Sequence, residues 1–193
     1  HGASAMSPTF AQPTIETERL VLRPYTRADG PEVFRLAGSR AIADTTLSIP
    51  HPYPKGGAEM WIDTHPAAWE AGAGATFAVV ERESGRLIGT VGIVIAPEHS
   101  RGEIGYWIDA DRWNRGYCTE AASAVVTFAF DGLQLHRVEA RHLTRNAASG
   151  RVMQKLGMRL EGVHRQALKK WDQFEDVAVY GLLAPDRSSA SRS

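Results

Sequence analysis

A short segment in the middle of the chain combines residue types that can hold a phosphate group. The alternating run from Glu103 to Ile108 predicts a strand, a turn with Arg115 and Gly116 follows, and an Ala- and Val-rich helix begins near Thr119. At the start of a helix several backbone N–H groups lack an intrahelical partner, and the helix dipole adds partial positive charge. The turn is therefore a candidate anion site, with the chemistry of phosphate or diphosphate binding.

Basic residues also cluster downstream of this turn. Between Arg137 and Arg159 there are six basic residues and one acid, Glu139, in a chain whose net charge is zero. This local excess favours an anionic ligand, although a solvated helix face explains some of the arginines equally well. The neutral total charge gives no electrostatic reason to expect nucleic acid or a membrane surface as a partner.

Other site chemistries have less support. The seven histidines lack a ligand spacing such as H-E-x-x-H, and one cysteine forms no multi-cysteine zinc site, so no metal is predicted. The turn at Gly116 lacks the G-x-G-x-x-G of a dinucleotide site and the Gly-Lys-Ser/Thr of a P-loop. Cys118 is a candidate nucleophile, but packing of a small residue is the preferred interpretation.

The elements that position these residues change in rhythm along the chain. Strand patterns at 19–25, 76–82, 87–95 and 103–108 form an antiparallel meander, and helical patterns at 26–39 and around 60–69 precede or interrupt it. Strands at 137–143, 159–168 and 177–183 then alternate with helices at 119–130 and 147–155. This order predicts an α/β (mixed α+β) fold. Its central mixed sheet has about seven strands, antiparallel first and partly parallel later, with helices on both faces.

The length of 193 residues fits one domain. We expect residues 1–12 to be a tag remnant and a disordered N-terminus, 13–184 the folded domain, and 185–193 a Ser- and Arg-rich disordered tail. No apolar run approaches the roughly 18 residues of a membrane span, and the single cysteine suits a reducing compartment. The expected location is therefore the cytoplasm.

Several short motifs, in order, resemble those of the GNAT N-acetyltransferase superfamily. They lie at residues 113–118, 146–149, 155–158, 161–162 and 176–180, so the resemblance covers about residues 18–183. The turn matches a Q/R-x-x-G-x-G/A loop. At its first position this chain has an aromatic residue, Trp113, in place of Gln or Arg. In this the loop resembles that of the Rim-type branch, which includes the ribosomal-protein N-terminal-alanine acetyltransferases. The resemblance implies a GNAT fold in which the strand before the turn splays from the next parallel strand.

Acetyl-CoA is the cosubstrate that the resemblance implies, held in the cleft between those two strands. The backbone of Trp107 and Ile108 would pair with the pantetheine arm and donate to the thioester oxygen. The residues implied to bind coenzyme A are Trp107, Ile108, Asn114, Arg115, Gly116, Tyr117, Cys118, Thr119, Asn146, Ser149, Arg151 and Lys155.

Two residues are candidates for the proton transfers. The attacking amine must lose a proton and the leaving thiolate must gain one. Glu103 stands where many superfamily members carry a catalytic glutamate, although an exposed strand charge is an equally good interpretation. Ser149 matches the serine to which the Rim-type branch assigns proton donation, while a serine that satisfies its own helical turn is the alternative. Many relatives use a tyrosine at the position of Met153, and some a carboxylate at that of Leu168.

The predicted reaction is direct acetyl transfer to a primary amine. A protein or peptide N-terminal α-amine is the first choice, because its pKa of about 7.7–8.0 needs less help than the ~10.4 of a lysine. A small amine (a polyamine or an aminoglycoside-like antibiotic) and a non-catalytic acyl-CoA-binding protein are the alternatives. A homodimer is left open. Residues expected near the acceptor are His51, Tyr53, Trp61, Trp69 and the segment 169–172.

Overall fold

One eight-stranded sheet organises the computed structural model, which describes residues 7–190, the side chains of 188–190 excepted. The strands are β1 (Ile15–Glu16), β2 (Leu20–Pro24), β3 (Gly74–Glu81), β4 (Leu87–Ala96), β5 (Arg101–Ile108), β6 (Arg137–Leu143), β7 (Arg159–Lys170) and β8 (Gln173–Leu183). Their order in space is 1-2-3-4-5-6-8-7, and only β5 and β6 run parallel. This confirms the predicted mixed sheet. The additional strand is β1, whose two residues are too few for an alternating pattern.

Seven α-helices connect or cover the strands within the described part of the chain. They are α1 (Gly30–Ala37), α2 (Arg40–Thr45), α3 (Gly57–Asp63), α4 (His65–Glu70), α5 (Tyr117–Thr127), α6 (Ala147–Lys155) and α7 (Ala184–Ala190). The single helix predicted at 26–39 is a 3-10 turn, Arg27–Asp29, followed by α1. Among these described helices, none combines the length and the hydropathy needed to cross a bilayer.

Strands β5 and β6 are paired at their beginnings and separate towards their ends. They pair from Arg101 with Arg137 to Ile104 with Ala140, and the pairing stops there. On its other edge β5 stays paired with β4 as far as Ile108. Residues 105–108 therefore offer one backbone edge to a cleft between β5 and β6, as the GNAT resemblance implied.

Apolar cores cover both faces of the sheet. Ile104 and Ile108 lie in the larger core, which α5 fills from one face, while Trp107 packs against the smaller core with α1 and α3 on the other. Alternating side chains of one strand point to opposite faces. Because β5 has apolar side chains in both cores, their burial determines which residues point to which face, at about 1.5–3 kcal/mol for each large apolar side chain removed from water.

The predicted disordered ends require a correction where they are described. Gln12 donates to the Thr76 carbonyl at 2.8 Å and the Trp69 indole donates to that of Phe10 at 2.9 Å, so this part of the predicted N-terminal tail packs on the domain. At the other end α7 forms, because Asp186 accepts from the Leu183 N–H and Arg187 pairs with Asp131. The tag prediction at residues 1–6 and the last three residues, 191–193, lie outside the described residues.

Candidate active site

The turn before α5 has the backbone shape of an anion site. Gly116 is the N-cap of α5 with φ of +80°, and Asn114 has φ of +63°. Glycine adopts this left-handed conformation without steric cost, so the chain can turn sharply into the helix here. The N–H groups of the first helical residues, Tyr117, Cys118 and Thr119, have no intrahelical acceptor. These N–H groups lie at the positive end of the α5 helix dipole.

A cavity of about 370 Å³ opens at this turn and reaches the separated part of β5 and the start of α6. Every predicted coenzyme A residue except Arg115 lines it: Trp107, Ile108, Asn114, Gly116, Tyr117, Cys118, Thr119, Asn146, Ser149, Arg151 and Lys155. The Arg115 side chain is exposed instead, and its carbonyl accepts from Arg19 Nη1 at 2.9 Å. The wall also contains residues that were not predicted to bind it, namely Ile42, Thr45, Thr46, Tyr106, Arg112, Trp113, Ala148 and Val152.

Trp113, the aromatic residue that leads the turn, has a definite structural task. Its indole Nε1 donates to the carbonyl of Ile108 at 2.7 Å. Ile108 is the last residue of β5 and lies in the larger core. The hydrogen bond therefore fixes the distance between the open end of β5 and the turn.

The hydroxyl of Ser149, on α6, lies next to a hydroxyl group of strand β5. Its Oγ lies 3.1 Å from the Oη of Tyr106, which also donates to the Ser149 carbonyl at 3.2 Å. Burial raises the pKa of Tyr106 above its ordinary value, so this phenol keeps its proton at neutral pH. Met153, where many relatives carry a tyrosine, is instead buried in the core. Tyr106 packs against the larger core with Ile104 and Ile108, and the docking of α6 brings Ser149 to it.

Cys118 is half-buried and packs against the larger core. Burial raises the pKa of its thiol to about 12. Since the thiolate is the reactive form of cysteine, a thiol with this pKa is a poor nucleophile at neutral pH.

A second cavity of about 560 Å³ meets the first one at the separated strands. Thr45, Thr46, Tyr106 and Trp107 line both cavities. Glu103 lies in the second cavity and forms an ion pair with Arg141, which comes from the neighbouring parallel strand β6. Both side chains are partly exposed, at 32% for Glu103 and 43% for Arg141.

The residues expected near the acceptor separate into two groups. Tyr53 and Trp61 line the second cavity together with Leu168. Trp69 belongs to the larger core, where it stacks on Phe128 with ring centroids 6.2 Å apart. The expected segment 169–172 and His51 are absent from the lining residues of this cavity. Trp171 meets His51 edge to face beside it.

The segment 44–46, which we call the bridge segment, borders both cavities through Thr45 and Thr46. Arg145 Nη2 donates to the Asp44 carbonyl at 2.9 Å, Asn146 Nδ2 to that of Thr45 at 3.2 Å, and Lys170 Nζ to that of Thr46 at 2.7 Å. Three consecutive carbonyls are thus held by side chains from the far side of the cleft. Asn146 also caps α6 by accepting from the Ser149 N–H at 3.3 Å.

The described residues offer no candidate metal site. Across residues 7–190, no cluster of three or more His, Cys, Asp or Glu side chains has an arrangement that could hold a metal ion.

Known proteins similar to this chain agree with one another in family. Residues 19–159 match the family model described as acetyltransferase (GNAT) domain. The chain is 32% identical over 179 residues to YoaA of Bacillus subtilis, named an uncharacterized N-acetyltransferase, which covers 90% of this chain and 98% of the relative. It is 30% identical over 98 residues to the ribosomal-protein-serine acetyltransferase of Escherichia coli, 50% of this chain and 55% of that one.

A similar solved structure is RimL, a ribosomal L7/L12 α-N-protein acetyltransferase in complex with coenzyme A. Its TM-score is 0.82 at 18% identity, and the match covers 89% of this chain and 98% of RimL. At 18% identity, this similarity shows that the two proteins share a fold.

Proposed function

We propose an acceptor and a set of site residues from one premise: the chain belongs to the GNAT acetyltransferase family, and it is an N-acetyltransferase that uses acetyl-CoA. The acceptor that we propose is the α-amino group at the N-terminus of a protein or peptide. The observation that carries this proposal is the Glu103–Arg141 pair in the second cavity. Because the relatives are enzymes, a non-catalytic acyl-CoA-binding role is not proposed.

For coenzyme A, the first cavity offers groups of the right chemistry. The N–H groups at the start of α5 suit the diphosphate, and Arg151 and Lys155 on α6 add positive charge at the opposite wall. The free backbone edge at residues 105–108 suits the amides of the pantetheine arm, which would add to the sheet as an extended segment. Bound acetyl-CoA supplies the activated acetyl group as a thioester.

In the second cavity, the charged residues match an α-amine better than a polycation. Among the described residues that line it, Glu103 is the only acid and Arg141 the only base. A peptide N-terminus presents an amine and, three bonds from its nitrogen, a carbonyl oxygen, so Glu103 can accept from the amine while Arg141 donates to the carbonyl. A polyamine has no such carbonyl and would need several carboxylates. The ribosomal-protein-serine acetyltransferase among the relatives supports the same choice.

The proton transfers follow from the two faces of β5. Glu103 accepts a proton from the amine, directly or through a water, as nitrogen bonds to the acetyl carbon and the carbon–sulfur bond breaks. An α-amino group with a pKa of about 7.7–8.0 is already partly neutral near pH 7.5, so a carboxylate suffices. Ser149 and Tyr106 hydrogen-bond to the departing sulfur from the other face. Because hydroxyls are weaker acids than a thiol, this pair stabilises the thiolate and relays a proton to it from water.

A second candidate acceptor is a small amine that carries an aromatic ring, which Tyr53 and Trp61 favour because both line the second cavity. For location we propose the cytoplasm, whose reducing conditions suit the single free cysteine. Both cavities are formed within one chain, so the proposed reaction does not require a second copy.

The acceptor is tested by release of free coenzyme thiol in the presence of different amines. A peptide with a free N-terminus should turn over, and the same peptide with a blocked N-terminus and a free lysine should not. Spermidine and an aminoglycoside are compared at equal concentration. Faster turnover of either small amine, or of an aromatic amine such as tyramine at the same concentration, than of the free peptide would overturn the proposed acceptor. Only the aromatic amine would favour the second candidate.

Glu103→Gln tests the catalytic assignment in the same assay. The change removes the proton acceptor, so kcat should fall by about 10²-fold, the lower range for general base catalysis. The Kd for acetyl-CoA should stay within about twofold, because Glu103 does not line the first cavity. Arg141→Met should raise KM for the peptide with little effect on acetyl-CoA. An unchanged rate across pH in Glu103→Gln would remove this residue from the mechanism.

A further inference from the structure

Behind the phosphate turn lies a carboxylate that the proposed reaction does not use. Glu81, the last residue of β3, is only 7% exposed. Its two oxygens accept from Arg112 Nε and Nη2 at 3.2 Å, from Tyr117 Oη at 2.8 Å and from Ser84 Oγ at 2.7 Å. A buried carboxylate with this many donors is fully paired, so it holds its partners in one geometry.

Two of these donors flank the turn. Arg112 directly precedes Trp113, and Tyr117 is the first residue of α5. Arg112 is held further by Asp109, whose Oδ2 lies 3.1 Å from its Nη1. Both ends of the segment 113–116 are therefore tied to one side chain on a central strand of the sheet.

A second set of contacts holds the turn from its outer side. The guanidinium of Arg19 lies 4.3 Å from the centre of the Tyr117 ring, and its Nη1 donates to the Arg115 carbonyl. Glu120 on α5 accepts from Arg19 Nε at 2.7 Å. The Tyr117 ring is thus fixed between Arg19 and Glu81, which sets the direction in which α5 begins.

We propose that Glu81 is a positioning residue for coenzyme A. By holding Arg112 and Tyr117, it fixes the turn so that the N–H groups at the start of α5 face the diphosphate. Arg112 lines the first cavity, but its guanidinium is paired with Glu81 and Asp109, so its task is to position the turn. The inference rests on the proposed cofactor site.

For Glu81→Gln, the loss of negative charge and the loss of the contacts that hold the turn should change the affinity for coenzyme A in opposite directions. The substitution removes a negative charge close to an anion site, which by electrostatics alone would strengthen the binding of coenzyme A. It also places an amide N–H₂ group against the donors of Arg112 or Tyr117, which would loosen the turn and weaken binding. The direction of the change in Kd therefore discriminates between the two effects.

The experiment measures binding and turnover for Glu81→Gln with two thioesters. The Kd for acetyl-CoA should rise about tenfold, the factor that one hydrogen bond to a charged group carries. With saturating acetyl-CoA, kcat should stay within about twofold. Acetyl-pantetheine lacks the diphosphate, so its turnover should match that of the unmodified protein. An unchanged or lower Kd for acetyl-CoA, or an equal loss with acetyl-pantetheine, overturns the proposal.

Tyr117→Phe gives a second, milder variant that keeps the ring under Arg19 and removes only the hydroxyl that donates to Glu81. It should raise the Kd for acetyl-CoA about threefold, and the double variant should lose less than the product of the single losses because both changes affect one contact. A loss in the double variant equal to the product of the two single losses in Kd would contradict a shared contact.

Asp29→Asn is the matched control. Asp29 is a half-buried carboxylate that accepts two hydrogen bonds from Arg23, far from the turn in the chain and outside the lining of both cavities. It should lower thermal stability and leave the Kd for acetyl-CoA unchanged. If the unmodified protein itself does not bind coenzyme A, the cofactor site fails; if it binds and Glu81→Gln binds equally well, only the role of Glu81 fails.

Discussion

The two proposed proton-handling groups lie on opposite faces of β5. Glu103 and Trp107 share one face of β5, and Tyr106 lies on the other face, where its hydroxyl meets that of Ser149 on α6. The backbone of residues 105–108 runs between them with one edge free. An amine can therefore approach from one side of the strand while the sulfur departs on the other, so that proton acceptor and proton donor do not neutralise each other.

Cys118 provides the clearest prediction for a single residue. Cys118→Ala should retain kcat/KM within about twofold, because a thiol whose burial raises its pKa to about 12 supplies almost no thiolate at neutral pH. Steady-state kinetics with acetyl-CoA and a peptide acceptor measures it. Ser149→Ala is the companion variant and should lower kcat. A Cys118→Ala protein without turnover, or an isolated acetyl-cysteine intermediate in the unmodified protein, would contradict direct transfer.

Among the elements, the bridge segment is notable because Thr45 and Thr46 line both cavities. Its carbonyls are held by Arg145, Asn146 and Lys170 from the opposite side of the cleft. Burial lowers the pKa of Lys170, with Arg145 adding to the effect, yet its ammonium still donates to the Thr46 carbonyl. The bridge segment is therefore fixed by side-chain hydrogen bonds and not by a strand partner.

Lys170→Met should loosen this segment, because it leaves the Thr46 carbonyl without its donor. We expect hydrogen exchange at residues 43–47 to become about tenfold faster, which is the effect of roughly 1.4 kcal/mol on local opening. Release of thiol from acetyl-CoA without acceptor should rise as water enters. Exchange measured by mass spectrometry tests the first effect.

Lys169→Met is the control for that change. Lys169 neighbours Lys170 in sequence, is 59% exposed and pairs only loosely with Asp172 at 3.7 Å. Its removal should leave exchange at residues 43–47 as in the unmodified protein. Equal exchange in both variants would show that Lys170 does not hold the bridge segment.

At the scale of the whole molecule, the first cavity lies between two parts of the sheet whose adjoining strands, β5 and β6, are paired only from Arg101 with Arg137 to Ile104 with Ala140. Its walls come from β5 and α5 on one side and from α6 on the other, where β5 and β6 have separated. A ligand that contacts both walls must stabilise the folded state relative to the unfolded chain, since the unfolded chain has no such cavity.

Acetyl-CoA should therefore raise the melting temperature. At one hundred times its Kd, a ligand adds about 2.7 kcal/mol, and for a chain of this size each kcal/mol corresponds to about 2–4 °C. We expect a rise of about 5–10 °C in a thermal melt. Acetyl-pantetheine at the same concentration should give a smaller rise, because it lacks the diphosphate. No rise with saturating acetyl-CoA would contradict the cofactor site.

Local features of this site follow from the sequence because they depend on neighbouring residues. The alternation at 103–108, the glycine at 116 and the helix start after it act over a few residues, and the structure has strand, turn and helix there. Asn146, which directly precedes the helix predicted at 147–155, caps α6 through an equally local hydrogen bond from the Ser149 N–H. The order of these motifs along the chain was sufficient to predict the family and the mixed sheet.

Contacts between distant elements were decided only by the tertiary structure. Tyr106 and Ser149 are 43 positions apart, Glu81 and Tyr117 are 36, and Lys170 and Thr46 are 124. No local sequence pattern around Glu81 or Tyr106 indicates these partners. Their partners come from elements whose docking depends on burial over the whole sheet, which no local pattern encodes.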